Sequence, residues 1–136
     1  MTGHEVVVLD ETDDRFYAGE SRIAGAGRGL FARVPLRAGD RLLVIGIRVR
    51  RESASDRYTS FADEYKIRAG DDLLIPCGVA AVANHSSHPN LRKVIAGADV
   101  FFELTREVEA DEELCFEYSD YARERFNVGT NGVPAT

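Results

Sequence analysis

The seven residues NHSSHPN (Asn84, His85, Ser86, Ser87, His88, Pro89, Asn90) restrict how this chain can fold more than any other stretch. They follow directly on the apolar run 79–83, VAAVA. Asn and Ser side chains compete for backbone hydrogen bonds and Pro89 removes a donor, so the segment suits neither a regular helix nor a regular strand. It is expected as an irregular loop tethered to a buried element. Polar loops fixed to a core often build sites, and ordinary turns use the same residues, so the stretch alone leaves both readings open.

The chain's 136 residues suit a single domain with one modest core. No apolar run approaches the roughly 18 residues of a membrane span. The longest, residues 42–47, is interrupted by Gly46. The first residues, MTGHEVVVLDETDD, have neither a basic start nor a long apolar segment, which argues against a signal peptide and makes an intracellular location the expectation. Cys77 and Cys115 are too few for a disulfide framework. With His85 and His88 they make a four-ligand zinc set on paper, but only the His pair is closely spaced, so two buried free thiols and no metal are expected. The net charge of −6 disfavours nucleic acid as the main partner and suits a basic peptide, although mild negative charge also serves solubility alone.

Local patterning predicts a mostly β chain. Residues 6–9 are β-branched and read as a strand or a tail before the acidic cluster 10–14. The stretch SRIAGAGRGLFA (21–32) reads as a Gly-rich turn, either a tight β-turn or a place where backbone approaches a ligand. Its GxGxG spacing and the Pro that follows exclude a dinucleotide-binding fingerprint. Residues 41–49 (RLLVIGIRV) read as one buried strand with a bulge at Gly46, and 48–57 as loop. Ser60 caps a short helix or irregular turn over SFADEYKIR. Strands are expected at 71–75, 99–104 and 114–118, with a small-residue element at 76–83. In LCFEY, alternation puts Leu114, Phe116 and Tyr118 on one inward face. A capped helix is expected at 119–126, and the Gly/Asn/Pro-rich end as a frayed tail.

Three stretches stand in fixed order: GAGRGLFA, NHSSHPNL and DEELCFEYSDY. In that order, and with LRAGDRLL between the first two, they resemble the signature of SET-domain lysine methyltransferases from Arg22 to Tyr121. The resemblance implies a fold of small β-sheets with short helices and a C-terminal pseudoknot. An N-terminal strand or tail would span 1–20, the SET domain 21–126 and a flexible tail 127–136. It implies S-adenosylmethionine as cofactor, held by the turn Ala26, Gly27 and Arg28 and by Asn84 and His85, with Tyr121 or Phe126 over the adenine. It matches Tyr118 to the family's catalytic tyrosine. Phe116 falls where phenylalanine or tyrosine affects how many methyl groups fit, so phenylalanine implies di- or trimethylation. Tyr65 is a candidate wall of the lysine channel or a simple packing residue. The implied partner is a basic protein or peptide, histone-like or ribosomal, and a homodimer that completes the groove is left open.

The match has departures. Ser87 replaces a cysteine that in many relatives joins a zinc cluster with a cysteine-rich tail, and this tail has no cysteine. Glu117 stands where aspartate is commoner, and the strand around Ile45 and Gly46 lacks the tyrosine of many relatives. The chain therefore resembles minimal, stand-alone members such as those of viruses and bacteria. Two rivals remain: a SET-like binding module without turnover, and a hydrolase using Ser86 or Ser87 with His85 or His88. The second lacks a GxSxG elbow, and neighbouring loop positions seldom give the base geometry.

Overall fold

The structure is a computed structural model that describes residues 8–117. Among these residues, ten short strands form three small sheets. The first carries β1 (Phe16–Glu20), β2 (Arg28–Ala32), β10 (Glu113–Phe116) and β7 (Asn84–His85), in that order. The second orders β3 (Arg41–Leu43), β9 (Asp99–Leu104) and β8 (Leu91–Ala96). The third orders β4 (Gly46–Arg50), β6 (Asp72–Pro76) and β5 (Ile67–Ala69). A helix, α1 (Ala54–Tyr58), and two single 3-10 turns, Ser60–Ala62 and Val79–Val82, complete the described elements.

The sheets close on one core in which Leu30, Leu42, Leu91, Phe102, Leu104, Val108 and Leu114 are fully buried. Each such side chain contributes about 1.5–3 kcal/mol through burial. The last strand, β10, lies between two earlier ones, antiparallel to β2 and parallel to β7. That insertion is the part of the expected pseudoknot that falls within the described residues.

Several local expectations are corrected. Val8 and Leu9 are exposed and carry no strand; the first described strand starts at Phe16, whose ring is buried. The single strand 41–49 is two strands in different sheets. Val44 still donates its N–H to Val100 O, but Ile45 O accepts from Cys77 N, which hands the chain to the third sheet. Gly46 permits the crossing because a Cβ there would lie 2.1 Å from Ile75 O. The polar stretch 48–57 contains the end of β4 and α1, whose N-cap is Ser53, its side chain accepting from Asp56 N. Ser60 instead opens a 3-10 turn, so the irregular-turn alternative holds. In β10, Leu114 is fully buried and Phe116 packs against the core, as alternation requires, and Cys115 on the other face is buried as well. The strand 99–104 stands with its expected bounds.

Candidate functional site

The Gly-rich stretch folds as a closed turn. Ser21 N donates to Gly27 O at 2.7 Å and Ala26 N to Ile23 O at 3.1 Å. Gly25 and Gly27 take φ of +77° and +74°, where side chains other than glycine's are strained, and a Cβ at either would meet nothing within 4 Å. The turn therefore presents backbone to open space. Arg28 leaves it exposed, at the start of β2.

Asn84 is brought against this turn. Its Nδ2 donates to Arg28 O at 2.8 Å and to Glu113 Oε2 at 3.3 Å. His85, the next residue, is fully buried in β7, with Phe116 as its register partner on β10. The rest of NHSSHPN grips β10: Ser86 N donates to Phe116 O, and Asn90 N to Cys115 O. Asn90 also accepts from Cys115 N through Oδ1 at 2.8 Å and donates through Nδ2 to Glu113 O at 3.0 Å. The expectation of a loop throughout is corrected at Asn84 and His85, which pair with β10 as β7, while residues 86–90 are irregular and tethered to β10. His88 and Ser87 are exposed, with Ser87 Oγ 3.2 Å from His88 Nδ1, while Ser86 Oγ accepts from His88 N.

At the other end of β10 lies a cavity of about 130 Å³, with Tyr65, Ile67, Ala80, Phe102 and Phe116 among its walls. Phe116 is half-buried, its ring centroid 4.9 Å from that of Phe102. Tyr65 and Phe116, distant in sequence, share this cavity. Lys66, beside Tyr65, is fully covered; desolvation opposes its charge, but hydrogen bonds to Asp56 Oδ1 at 2.6 Å and Asp63 Oδ1 at 2.7 Å outweigh that and raise its pKa. These bonds tie α1 and the following turn to the cavity wall. Lys93, also on the cavity, has its pKa lowered by desolvation and then by the Arg68 charge.

The Asn84 side chain and the turn meet at the Glu113 carboxylate, while Tyr65 and Phe116 line the cavity and His85 sits buried opposite Phe116. Tyr118, Tyr121 and Phe126 lie outside the described residues. Cys77 is exposed and Cys115 buried, so one of the two expected buried thiols is not. Among the described residues no group of three or more His, Cys, Asp or Glu is placed to hold a metal ion. Two residues escaped the sequence reading: Asn90, the clamp on β10, and Glu113, whose carboxylate reaches the turn. Glu113 lies inside the third motif, but nothing local marks a contact to residues so far upstream.

A family profile for the SET domain matches residues 27–119. The chain belongs to the SET domain family. Solved structures agree on the fold. A Plasmodium falciparum candidate histone methyltransferase superposes with TM-score 0.60 at 16% identity, covering 80% of this chain and 96% of that one. A humanized mutant of the Chaetomium thermophilum Polycomb Repressive Complex 2, bound to an inhibitor, gives TM-score 0.66 at 20% identity and covers 77% of this chain but 15% of that one. No curated protein matches the sequence. As a SET domain of mostly β structure, the protein has the fold of lysine methyltransferases.

Proposed function

We propose that the protein is an S-adenosylmethionine-dependent protein lysine N-methyltransferase acting on a lysine of a basic protein or peptide. One observation carries the proposal. β10 holds the Gly-turn and the Asn84 amide through the Glu113 carboxylate and lines a cavity with Phe116, about 10 Å further along the strand. A methyl donor and an amine acceptor have to meet from two sides, and this strand joins two such sides.

The donor set fits the cofactor. The backbone at Gly27 faces open space in a conformation that only glycine adopts readily, which allows close approach of a ligand carboxylate to main-chain amides. Arg28 adds a cation beside it. Asn84 offers an amide to the ligand's amino end. When bound, S-adenosylmethionine supplies an electrophilic methyl group on a sulfonium centre.

The remaining tasks fall to this chain. Its side chains must align the amine, exclude water and accept the lysine in neutral form. The rings of Tyr65, Phe102 and Phe116 give part of the cavity wall an apolar surface against which an amine would be desolvated. An amine that leaves water for an apolar wall is desolvated, and desolvation favours its neutral form. Tyr118, two residues beyond Phe116, is assigned the catalytic role by motif, its phenol orienting the amine and holding the methyl through weak CH···O contacts. The net charge of −6 suits attraction of a basic substrate.

The test is transfer of labelled methyl from S-adenosylmethionine to histones, ribosomal proteins and a basic peptide array. Wild type is expected to label lysine, and Tyr118→Phe to bind cofactor without labelling. Cofactor binding by wild type without any transfer would favour a binding module instead.

A further inference from the structure

We propose that Glu113 is a positioning residue that assembles the cofactor cradle and sets the orientation of the Asn84 amide. The inference rests on the reading of this site as a cofactor cradle and goes beyond it by naming a residue that no motif role assigns.

Three donors from two distant segments converge on this one carboxylate. Oε2 accepts from Ser21 Oγ at 2.7 Å and from Asn84 Nδ2 at 3.3 Å, and Oε1 accepts from Arg22 N at 2.8 Å. Ser21 is the residue that closes the Gly-turn through Gly27 O, and its Oγ also accepts from Ile23 N at 3.0 Å. The carboxylate therefore fixes the base of the turn to β10. The same group, together with Arg28 O, presents only acceptors to the Asn84 side chain. Facing two acceptors, the amide must turn its NH2 toward them, which directs its carbonyl oxygen the other way. An amide so turned offers an acceptor to a ligand ammonium; the flipped amide would offer a donor and repel it.

Space at Gly29 is reserved for this carboxylate. A Cβ at position 29 would lie 2.5 Å from Glu113 Oε2 and 3.3 Å from Asn84 Nδ2. Gly29 is not in the left-handed region, so its glycine serves the contact and not the backbone.

Two variants disturb the arrangement by different routes. Glu113→Gln keeps shape and volume but leaves at least one of the three donors facing an NH2. Gly29→Ala keeps the carboxylate and displaces it. Binding of S-adenosylhomocysteine, read by calorimetry, is expected to weaken about tenfold in each variant, as follows from losing a charge-assisted contact. The double variant is expected to be no weaker than the worse single one, because both act through one group. The peptide KM and the kcat at saturating cofactor should stay near wild type. In the ligand-free protein, the Asn84 side-chain amide resonances should move in both variants. Wild-type binding with both variants retaining affinity within about twofold would overturn the inference while leaving the proposed function intact. So would a fall in melting temperature with unchanged affinity. Failure of wild type to bind S-adenosylhomocysteine would overturn both.

Discussion

Asn90 and Cys115 exchange hydrogen bonds in both directions: Asn90 N donates to Cys115 O at 3.1 Å, and Cys115 N donates to Asn90 Oδ1 at 2.8 Å. The side chain of Asn90 thus takes the place of a neighbouring strand along β10, and its Nδ2 occupies Glu113 O as well. Asn90→Ala removes both side-chain bonds and strands a buried N–H and a carbonyl, at a cost of about 3 kcal/mol. Urea denaturation measures the loss. Hydrogen exchange at the Cys115 amide should rise beyond the global change, and a loss below about 0.5 kcal/mol would mean that β10 is held by its strand pairing alone.

Gly46 marks a second close approach. A Cβ at this position would meet Ile75 O at 2.1 Å, Ile75 C at 2.8 Å and Pro76 Cα at 3.0 Å, all backbone and unable to swing aside. Gly46→Ala is expected to destabilise by about 3 kcal/mol by forcing β4 and β6 apart. Gly25→Ala, whose Cβ would be unobstructed at φ +77°, should cost only about 1 kcal/mol in strain. Equal costs at the two positions would contradict the crossing described at Gly46.

These two positions show what could be read from the sequence and what could not. The strand 99–104 was legible because DVFFEL is a dense run of β-formers between turn residues, and the loop at 86–90 was legible from hydrogen-bond competition and Pro89. At Gly46 the sequence gives only an apolar run with a glycine, and the partition into two sheets is decided by Val100 and Cys77, which are distant in the chain. The strand Leu91–Ala96 was missed because LRKVIA is exposed along most of its length and shows no inward alternation. For the site, motif resemblance located the turn and Asn84. The Glu113 carboxylate joins Ser21 and Arg22 across about 90 residues, and no local pattern encodes such a bond.

The two thiols should differ sharply in reactivity. Cys115 is buried; desolvation, then the charge of Glu113, pushes its pKa up to about 12, so at pH 8 it is a thiol and not the reactive thiolate. Cys77 is exposed. A disulfide reagent is expected to label one of the chain's 2 cysteines in the native state and both in denaturant, with Cys77→Ser abolishing native labelling. The shift also sets a pH trend. Above the ordinary value of 9.0 the unfolded thiol ionises while the folded one does not, so stability falls as pH rises from there toward about 12. Rapid native labelling of Cys77→Ser would contradict the burial of β10.

Glu103 governs the opposite end of the pH range. Hydrogen bonds from Arg41, then Arg92, hold its carboxyl below the ordinary glutamate value of 4.5. A depressed folded pKa contributes stability that is present above the unfolded value and lost as pH falls through the folded one. Urea denaturation from pH 7 to pH 3 should therefore show a shallower acid limb for Glu103→Gln than for wild type. Parallel limbs would mean that the arginine pair does not act on this carboxyl in the native state.

Phe116 offers the most direct test of the acceptor side. Its ring packs at 4.9 Å from Phe102 and forms part of the wall of a cavity of about 130 Å³. One water needs about 10–15 Å³ of such space, so there is room here for more than an amine with a single methyl, and a phenylalanine wall offers no hydroxyl to hold a water there. Under the proposed function, successive methyl groups enter without displacing a bound water, and wild type should yield di- or trimethyllysine in excess cofactor. Phe116→Tyr adds a hydroxyl that a water can bond, and expelling that water to admit another methyl loses its hydrogen bonds. Mass spectrometry of product should then show monomethyllysine accumulating in the variant, with the first transfer slowed by less than about tenfold. A wild type that stops at one methyl, or a variant with the wild-type product distribution, would remove Phe116 as the determinant of product state.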